Sequence, residues 1–539
     1  MKFRRTQSYV RSPLWLVLSV VAGVSLIVVP GAWAGHVTEG ADVKVIHDNN
    51  NVDGGTPNPG FDAQNRPQNE TTVAYSPINP NIVAIGANDY RMVPVFGDAW
   101  LGVYVSGDGG ATWFNTFVPG FPSDTSPAGL ASPLLGLDAG SDPVVRFDGA
   151  GNLYLAGIAF NRDFDQEDRP VDNVVYVARY DYTPGTPGGV STPNAAANPP
   201  NFTYAGTTVV GRGAAGAVPG TIGDTGRFVD KEWMEIDQNS GNVYVAYTDF
   251  RGVFGSAPIK FSRSTDGGAT FSHSKTVTTG GQAGSVFTQG SDIAVASDGT
   301  IYIAYVSYDT FPVSISLVKS TDFGKHWSQP VLVGSVGIAF PPPAGVAFRL
   351  PTFAFVATDD VDPNIVYVTY QSFVVGVGRI YVQRSTDAGA TWGAPQQVSA
   401  GAAARHQVFP TIAVSNSALH VAWYDLRNSV TTQSEALDVY YACTNCDGNV
   451  YPDFSHSTRV TDVSHNANSL MFGNGTAAFH GDYIELAAYF DGASHIVHLA
   501  WADNRDVSPL DFDPAPGPAP NNTGNRNQNI HADMLIVAP

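Results

Sequence analysis

The order Asp-x-Arg occurs four times in this chain, at Asp89/Arg91, Asp249/Arg251, Asp425/Arg427 and Asp503/Arg505, with Arg162 at the matching place of another apolar run. Residues i and i+2 of a strand point to the same side. Each pair therefore either closes on itself as an ion pair or turns its guanidinium toward a ligand carboxylate, for which the Arg fork is well shaped. A ring of bridges between neighbouring units is the architectural reading; a clamp drawn from Arg91, Arg251 and Arg427 is the chemical one. A second group of polar residues gathers where short apolar runs begin: Asp142, Asp230-Lys231-Glu232, Asp292, Arg349, Arg405-His406 and His480-Gly481-Asp482-Tyr483. Carboxyls, a phenol and cations brought together at one end of a fold can exchange protons with a substrate once burial and neighbours move their pKa values.

Other spacings suit narrower chemistry. Asp163-x-Asp165-x-Glu167, with Asp168, offers oxygen ligands of the kind calcium takes, although the glycine of an EF-hand loop is missing. No cofactor is required by any motif: H-E-x-x-H, G-x-S-x-G, the P-loop and the dinucleotide fingerprint are all absent. Cys443 and Cys446 are the two cysteines, too few for a structural zinc site, and their spacing allows a local disulfide in an oxidising compartment.

What must position these residues is a repeat. SGDGGATW (106 to 113), STDGGATF (264 to 271), STDFGKHW (320 to 327) and STDAGATW (385 to 392) share Ser-x-Asp-x-Gly and a closing aromatic. Asp can accept turn N–H groups, Gly supplies positive φ, and the aromatic covers an apolar face, so Asp108, Asp266, Asp322 and Asp387 read as fold staples. Upstream of each lies a Val/Ile/Tyr-rich run, and seven such runs exist, from IVAIGANDYR (82 to 91) to VHLAWADNR (497 to 505). Each follows another short strand across a Gly/Asn/Asp turn and precedes a third. Two-residue alternation without helical periodicity predicts an all-β chain, a propeller of seven four-stranded blades with six as the alternative. The seventh unit ends after its third strand, ADMLIVAP, so DVKVIHD (42 to 48) is expected to pair with it and close the ring. YYACTNCDG aligns with YVQRSTDAG, which puts the disulfide where the sixth unit lacks its box. The boxes then occupy one face, and the Asp-x-Arg pairs and inner-strand starts the other.

The address is equally legible. Lys2, Arg4, Arg5 and Arg11, the apolar run Leu14 to Val29 and Ala32-Trp33-Ala34 form a secretory signal pattern, which leaves 505 residues of net charge −24 as a single domain over 35–539. Such an acidic chain disfavours nucleic acid and anionic membranes, and no later segment is long and apolar enough to span a bilayer. A secreted monomer with no stable membrane insertion is expected.

The repeated S-x-D-x-G-x-T-W between third and fourth strands resembles the Asp-box, or bacterial neuraminidase repeat, of the sialidase-like propellers. That resemblance implies an extracellular glycan or glycoconjugate as partner and exo-α-sialidase activity, a glycoside hydrolysis, with a noncatalytic binding or adhesion propeller as the alternative. It further implies three arginines on the substrate carboxylate, drawn from Arg91, Arg251, Arg427 and Arg405, with Tyr483 as nucleophile, Glu232 as its partner and Asp89 as acid/base. Two departures stand against a direct transfer: seven units rather than six, and Tyr90-Arg91-Met92-Val93-Pro94 with one residue too many before its proline.

Overall fold

In the computed structural model the described residues are 37–46, 67–91, 99–161, 173–189, 196–213, 226–251, 255–278, 286–398, 405–430, 435–446, 448–469, 478–507 and 528–539. The signal pattern and Asp163, Asp165 and Glu167 lie outside them, as do Arg162 and most of the Pro/Asn-rich stretch after Pro509. The described part of Val37–Pro539 forms seven antiparallel sheets, six with their strands in sequence order and the seventh completed from the N-terminal segment, the grammar of a seven-bladed propeller. Among the described residues helix is confined to the single turn Pro127–Leu130, and no helix is long and apolar enough to cross a membrane.

The inner strands are Gln68–Ser76, Ala139–Phe147, Arg227–Ile236, Thr288–Val295, Ala354–Thr358, Gln407–Ser415 and Glu485–Phe490. The second strands carry the seven apolar runs and are nearly wholly buried, because both faces of a middle strand pack against neighbouring blades. Several outer strands are short, down to Lys275–Thr276, Gln396–Gln397 and Thr458–Arg459, which leaves little open edge there, while that of the second blade, Phe202–Arg212, is long.

Closure follows the expected route with one refinement. Val43 and Lys44 pair with Ala532 and His531, and Val45 N donates to Ile530 O at 2.9 Å. A second short stretch upstream, Val37–Thr38, pairs with Ile536 and Val537, so two short stretches lie on the last strand with residues 39 to 42 between them.

The boxes are hairpin turns on the lower face. Asp108 accepts Thr112 N at 2.9 Å, Thr112 Oγ1 at 2.6 Å and Ser106 Oγ at 2.7 Å, while Ser106 Oγ accepts Gly110 N at 2.8 Å. Asp266, Asp322 and Asp387 repeat the arrangement, with His326 replacing Thr in the third. In the sixth blade Cys443 and Cys446 form the disulfide at the corresponding turn.

Candidate functional site: the upper mouth of the axis

Five inner strands share a device the repeat pattern does not announce. Their pairing with the second strand slips between Asn69/Thr72, Ser141/Val144, Asp230/Trp233, Gln289/Asp292 and Val408/Thr411. In each slip one residue turns left-handed: Glu70, Asp142, Lys231, Gly290 and Phe409. Such a bulge re-aims a side chain that would otherwise lie against the next blade. Left-handed backbone disfavours branched or bulky residues, so five copies around the axis mark a built feature. Gly481, also left-handed, approaches Glu70 so closely that a Cβ there would collide with both its backbone nitrogen and its Cγ.

The result is a buried cluster of carboxyls with two cations. The carboxyls of Glu70 and Asp142 are hydrogen-bonded to each other, and Glu70 Oε2 accepts from Asn88 Nδ2 at 2.7 Å. Burial, then the charges of Asp142 and Asp482, push the Glu70 acid well above its ordinary range. Burial also works against ionised Asp142, but the Lys231 charge, the hydrogen bonds from Glu70 and Ser141 and the Arg349 charge outweigh it and hold that carboxyl below the usual value. Asp230 rises to about 7 through burial and the Asp142 charge. Glu232 is raised well above its ordinary value by burial and then Asp142, and neither of its oxygens meets a hydrogen-bond partner. Arg349, on the connection between the fourth and fifth blades, grips Asp482 with two bonds of 2.7 Å and stands 3.9 Å from Glu70 Oε1. Its guanidinium lies 4.7 Å from the Phe479 ring and its side chain is 60% exposed, so it forms the rim through which the cluster meets solvent.

Tyr483 sits at the floor of this mouth. Lys231 Nζ lies 3.4 Å from its ring centroid, and Trp233 packs edge-on at 5.6 Å. The phenol is 1% exposed, its hydroxyl meets no partner, and burial with the charges of Asp142, Glu70, Glu232 and Asp482 drives it far above 10. Tyr483 and Glu232 are thus electrostatic neighbours without a hydrogen bond between them.

The other sequence candidates stand elsewhere. Each Asp-x-Arg pair closes on itself at the end of its second strand, three of them with the Arg just past the last strand residue: Arg91–Asp89 at 2.6 Å, Arg251–Asp249 at 2.7 Å, Arg427–Asp425 at 2.6 Å and Arg505–Asp503 at 2.7 Å. Asp89 also accepts the Tyr104 hydroxyl at 2.7 Å, and Arg91 is buried with it and donates to Asn115. Arg251 shares Asp249 with Arg227, Arg427 lies 3.8 Å from the Tyr440 ring, and Arg405 donates to the Ser429 and Val430 carbonyls. These contacts belong to blades one, three, six and seven; the arginine at the Tyr483 cluster is Arg349. The bridges expected between blade tips are instead i,i+2 pairs within a blade, closed where the second strand ends. Asp292 stitches blades four and five, accepting Ile293 N and Val356 N, and His406 accepts Gly378 N. Among the described residues no three His, Cys, Asp or Glu side chains are placed to hold a metal ion.

Glu70 is the residue that pattern reading passed over. Its signal was available: QNETTVAYS opens the first inner strand just as SDPVVRF and DKEWMEI open the second and third.

Trp233 also separates this mouth from a cavity of about 320 Å³ on the lower side of the axis. At its wall Arg146 bridges Glu235 at 2.9 Å and Glu485 at 2.8 Å.

No family model matches the chain, and no curated protein matches it. Solved structures do, at low identity. A protein of unknown function from Dyadobacter fermentans is 12% identical, with 93% of this chain and 99% of that one covered and a TM-score of 0.41. The α-L-arabinofuranosidase of Fusarium graminearum is 11% identical over 92% of this chain and 97% of that one, TM-score 0.44. A Hadza microbial sialidase is 14% identical over 83% and 72%, TM-score 0.39.

Proposed function

We propose that this chain is a secreted, monomeric propeller that acts on extracellular glycans at the upper mouth of its axis, cleaving a glycosidic bond with Glu70 as the acid. What supports the reading is the buried Glu70–Asp142 pair, in which burial and neighbouring carboxylates push the Glu70 acid up while Lys231, Arg349 and the hydrogen bonds it receives hold Asp142 down. Two like groups in contact cannot both ionise, and an acid held protonated at neutral pH next to a carboxylate is the division of labour that glycoside hydrolysis needs. As the C–O bond breaks, its electron pair goes to the leaving oxygen, which takes the Glu70 proton. The positive charge developing on the sugar is met by Asp142 and Asp482. Water then adds to the anomeric carbon and its proton returns to Glu70.

The sharper form, an exo-α-sialidase with Tyr483 as nucleophile, Glu232 as its base and Asp89 as acid, draws its support from the repeated boxes. Tyr483 would have to lose a proton that burial and four carboxyls hold in place. Asp89 would have to leave a buried arginine. The same engaged arginines favour a second reading, a binding propeller without turnover.

A panel of fluorogenic glycosides, sialosides and arabinofuranosides included, separates these readings. Glu70→Gln is expected to lower turnover about a thousandfold, the scale of a lost general acid, while Tyr483→Phe retains it. Loss with Tyr483→Phe and retention with Glu70→Gln would favour the sialidase form. Glycan binding without hydrolysis of any member would favour the binding module.

A further inference from the structure

Resting on the Glu70 reading above, we infer that Asn88 is the positioning residue of the acid: its carboxamide holds Glu70 Oε2 as the accepting oxygen and so leaves the proton to Oε1, on the side of the mouth. Three contacts define the arrangement. Asn88 Nδ2 donates to Glu70 Oε2 at 2.7 Å and to Asn69 Oδ1 at 3.2 Å, and Asn88 Oδ1 accepts the main-chain N–H of Asp142 at 2.9 Å. Asn88 is buried in the first blade and Asp142 opens the second, so one side chain ties together both partners of the carboxyl pair. Glu70 Oε1 is the oxygen that stands 3.9 Å from Arg349 Nη2 at the rim.

The direction of these bonds is fixed from both ends. A main-chain N–H only donates and a main-chain carbonyl only accepts, so a row of carboxamides strung between the two can point one way only. Asp142 N stands at one end. At the other, Gln528 Nε2 donates to Phe479 O at 2.9 Å, which turns Gln528 Oε1 toward Asn69; Asn69 Nδ2 donates to it at 3.2 Å, and Asn69 Oδ1 is left to face Asn88. Both ends thus demand the same Asn88, oxygen toward Asp142 and nitrogen toward Glu70. Asn69 and Gln528 are fully buried, so the row is shielded from solvent. A carboxyl oxygen that accepts such a bond serves as the carbonyl oxygen, and the other keeps the hydrogen.

The blade repeat by itself does not ask for a carboxamide here. In the five bulged blades the second-strand residue paired just before the slip is Asn88, Ile158, Thr248, Val306 or Tyr424. Of these side chains only the asparagine can accept from one neighbour while donating to two others.

Neutron diffraction from deuterium-exchanged crystals of the unaltered chain reads the assignment directly. Deuterium is expected on Glu70 Oε1 and between Asn88 Nδ2 and Glu70 Oε2. Deuterium on Oε2, deuterium on neither oxygen, or an Asn88 turned with its own oxygen toward Glu70 would overturn the inference. Infrared spectroscopy gives a second reading. The protonated-carboxyl stretch that disappears in Glu70→Gln is expected to move to higher wavenumber in Asn88→Thr, the residue that blade three carries at this place, because its carbonyl oxygen loses a donor; an unmoved band in the folded variant would count against Asn88. On any glycoside the chain cleaves, Asn88→Thr should lower kcat about tenfold with KM held, the scale of one hydrogen bond, and an unchanged kcat would also remove the role. Deuterium on Oε1 with no glycoside cleaved would keep the arrangement and sink hydrolysis. Cleavage that depends on Glu70 with the band unmoved would do the reverse.

Discussion

Asp266 on the lower face and Glu70 at the upper mouth are both carboxyls placed by the blade repeat, yet their surroundings drive them apart. Asp266 and Asp387 lie in water and accept local turn donors, and hydrogen bonds from Thr270 and Thr391 hold each at about 2. Glu70 and Glu232 are buried beside other carboxyls, and desolvation pushes both acids well above their ordinary range. A turn that satisfies its carboxylate completely has no capacity left for a substrate. A buried acid that shares its proton with an ionised partner does. Repetition of a residue type around a ring therefore says where side chains go, and the solvation of each decides whether it staples or reacts.

The comparison can be broken hardest at the centre of the axis. Arg146→Met would strand Glu235 and Glu485 opposite one another, and losing one side of a buried ion pair should destabilise the fold by about 3–5 kcal/mol, read as a fall in the denaturant midpoint. A smaller loss is expected from Cys443→Ser. The disulfide spans a sequence separation of 3, and so short a loop limits the effect to about 2 kcal/mol, measurable as a matching shift on reduction of the unaltered chain. Asp108→Ala removes hydrogen bonds at a largely exposed turn and should lower stability by only about 1 kcal/mol in the same experiment.

The pH dependence sharpens the comparison by sign. A box aspartate has a depressed folded pKa, so its contribution is present above the unfolded value near 4 and is lost as pH falls toward about 2. Asp230 is the reverse: raised to about 7, its contribution is full below about 4 and disappears as pH climbs through 7. The thermal midpoint should therefore fall on both wings. Asp230→Asn is expected to flatten the upper wing alone, and Asp387→Asn the lower one alone; a mutant that flattened the other wing would refute the assignment.

Much of the fold was legible because blades repeat. Period-two alternation, the four boxes and the missing last strand led to seven blades closed by the N-terminal segment, and Cys443 and Cys446 to a turn staple. The polar residues at inner-strand starts were also visible, and Asp142, Asp230, Lys231, Glu232, Arg349, Asp482 and Tyr483 do meet. The Asp-x-Arg pairs were visible too, but their destination was not, because an i,i+2 pair can close or open depending on what packs around it. Glu70 escaped because it lies at the very start of its strand, which begins at Gln68 and slips by the bulge at residue 70, where alternation gives no guide.

Alternation and turn chemistry are local, so the chain's own order determined the strands, the stapled lower turns and the circular closure. Desolvation and charge coupling are sums over groups distant in sequence, so only the folded ring could bring Glu70, from one blade, beside Asp142 from the next and push its acid up. The same sum over neighbours leaves Tyr483 buried with its hydroxyl unpaired.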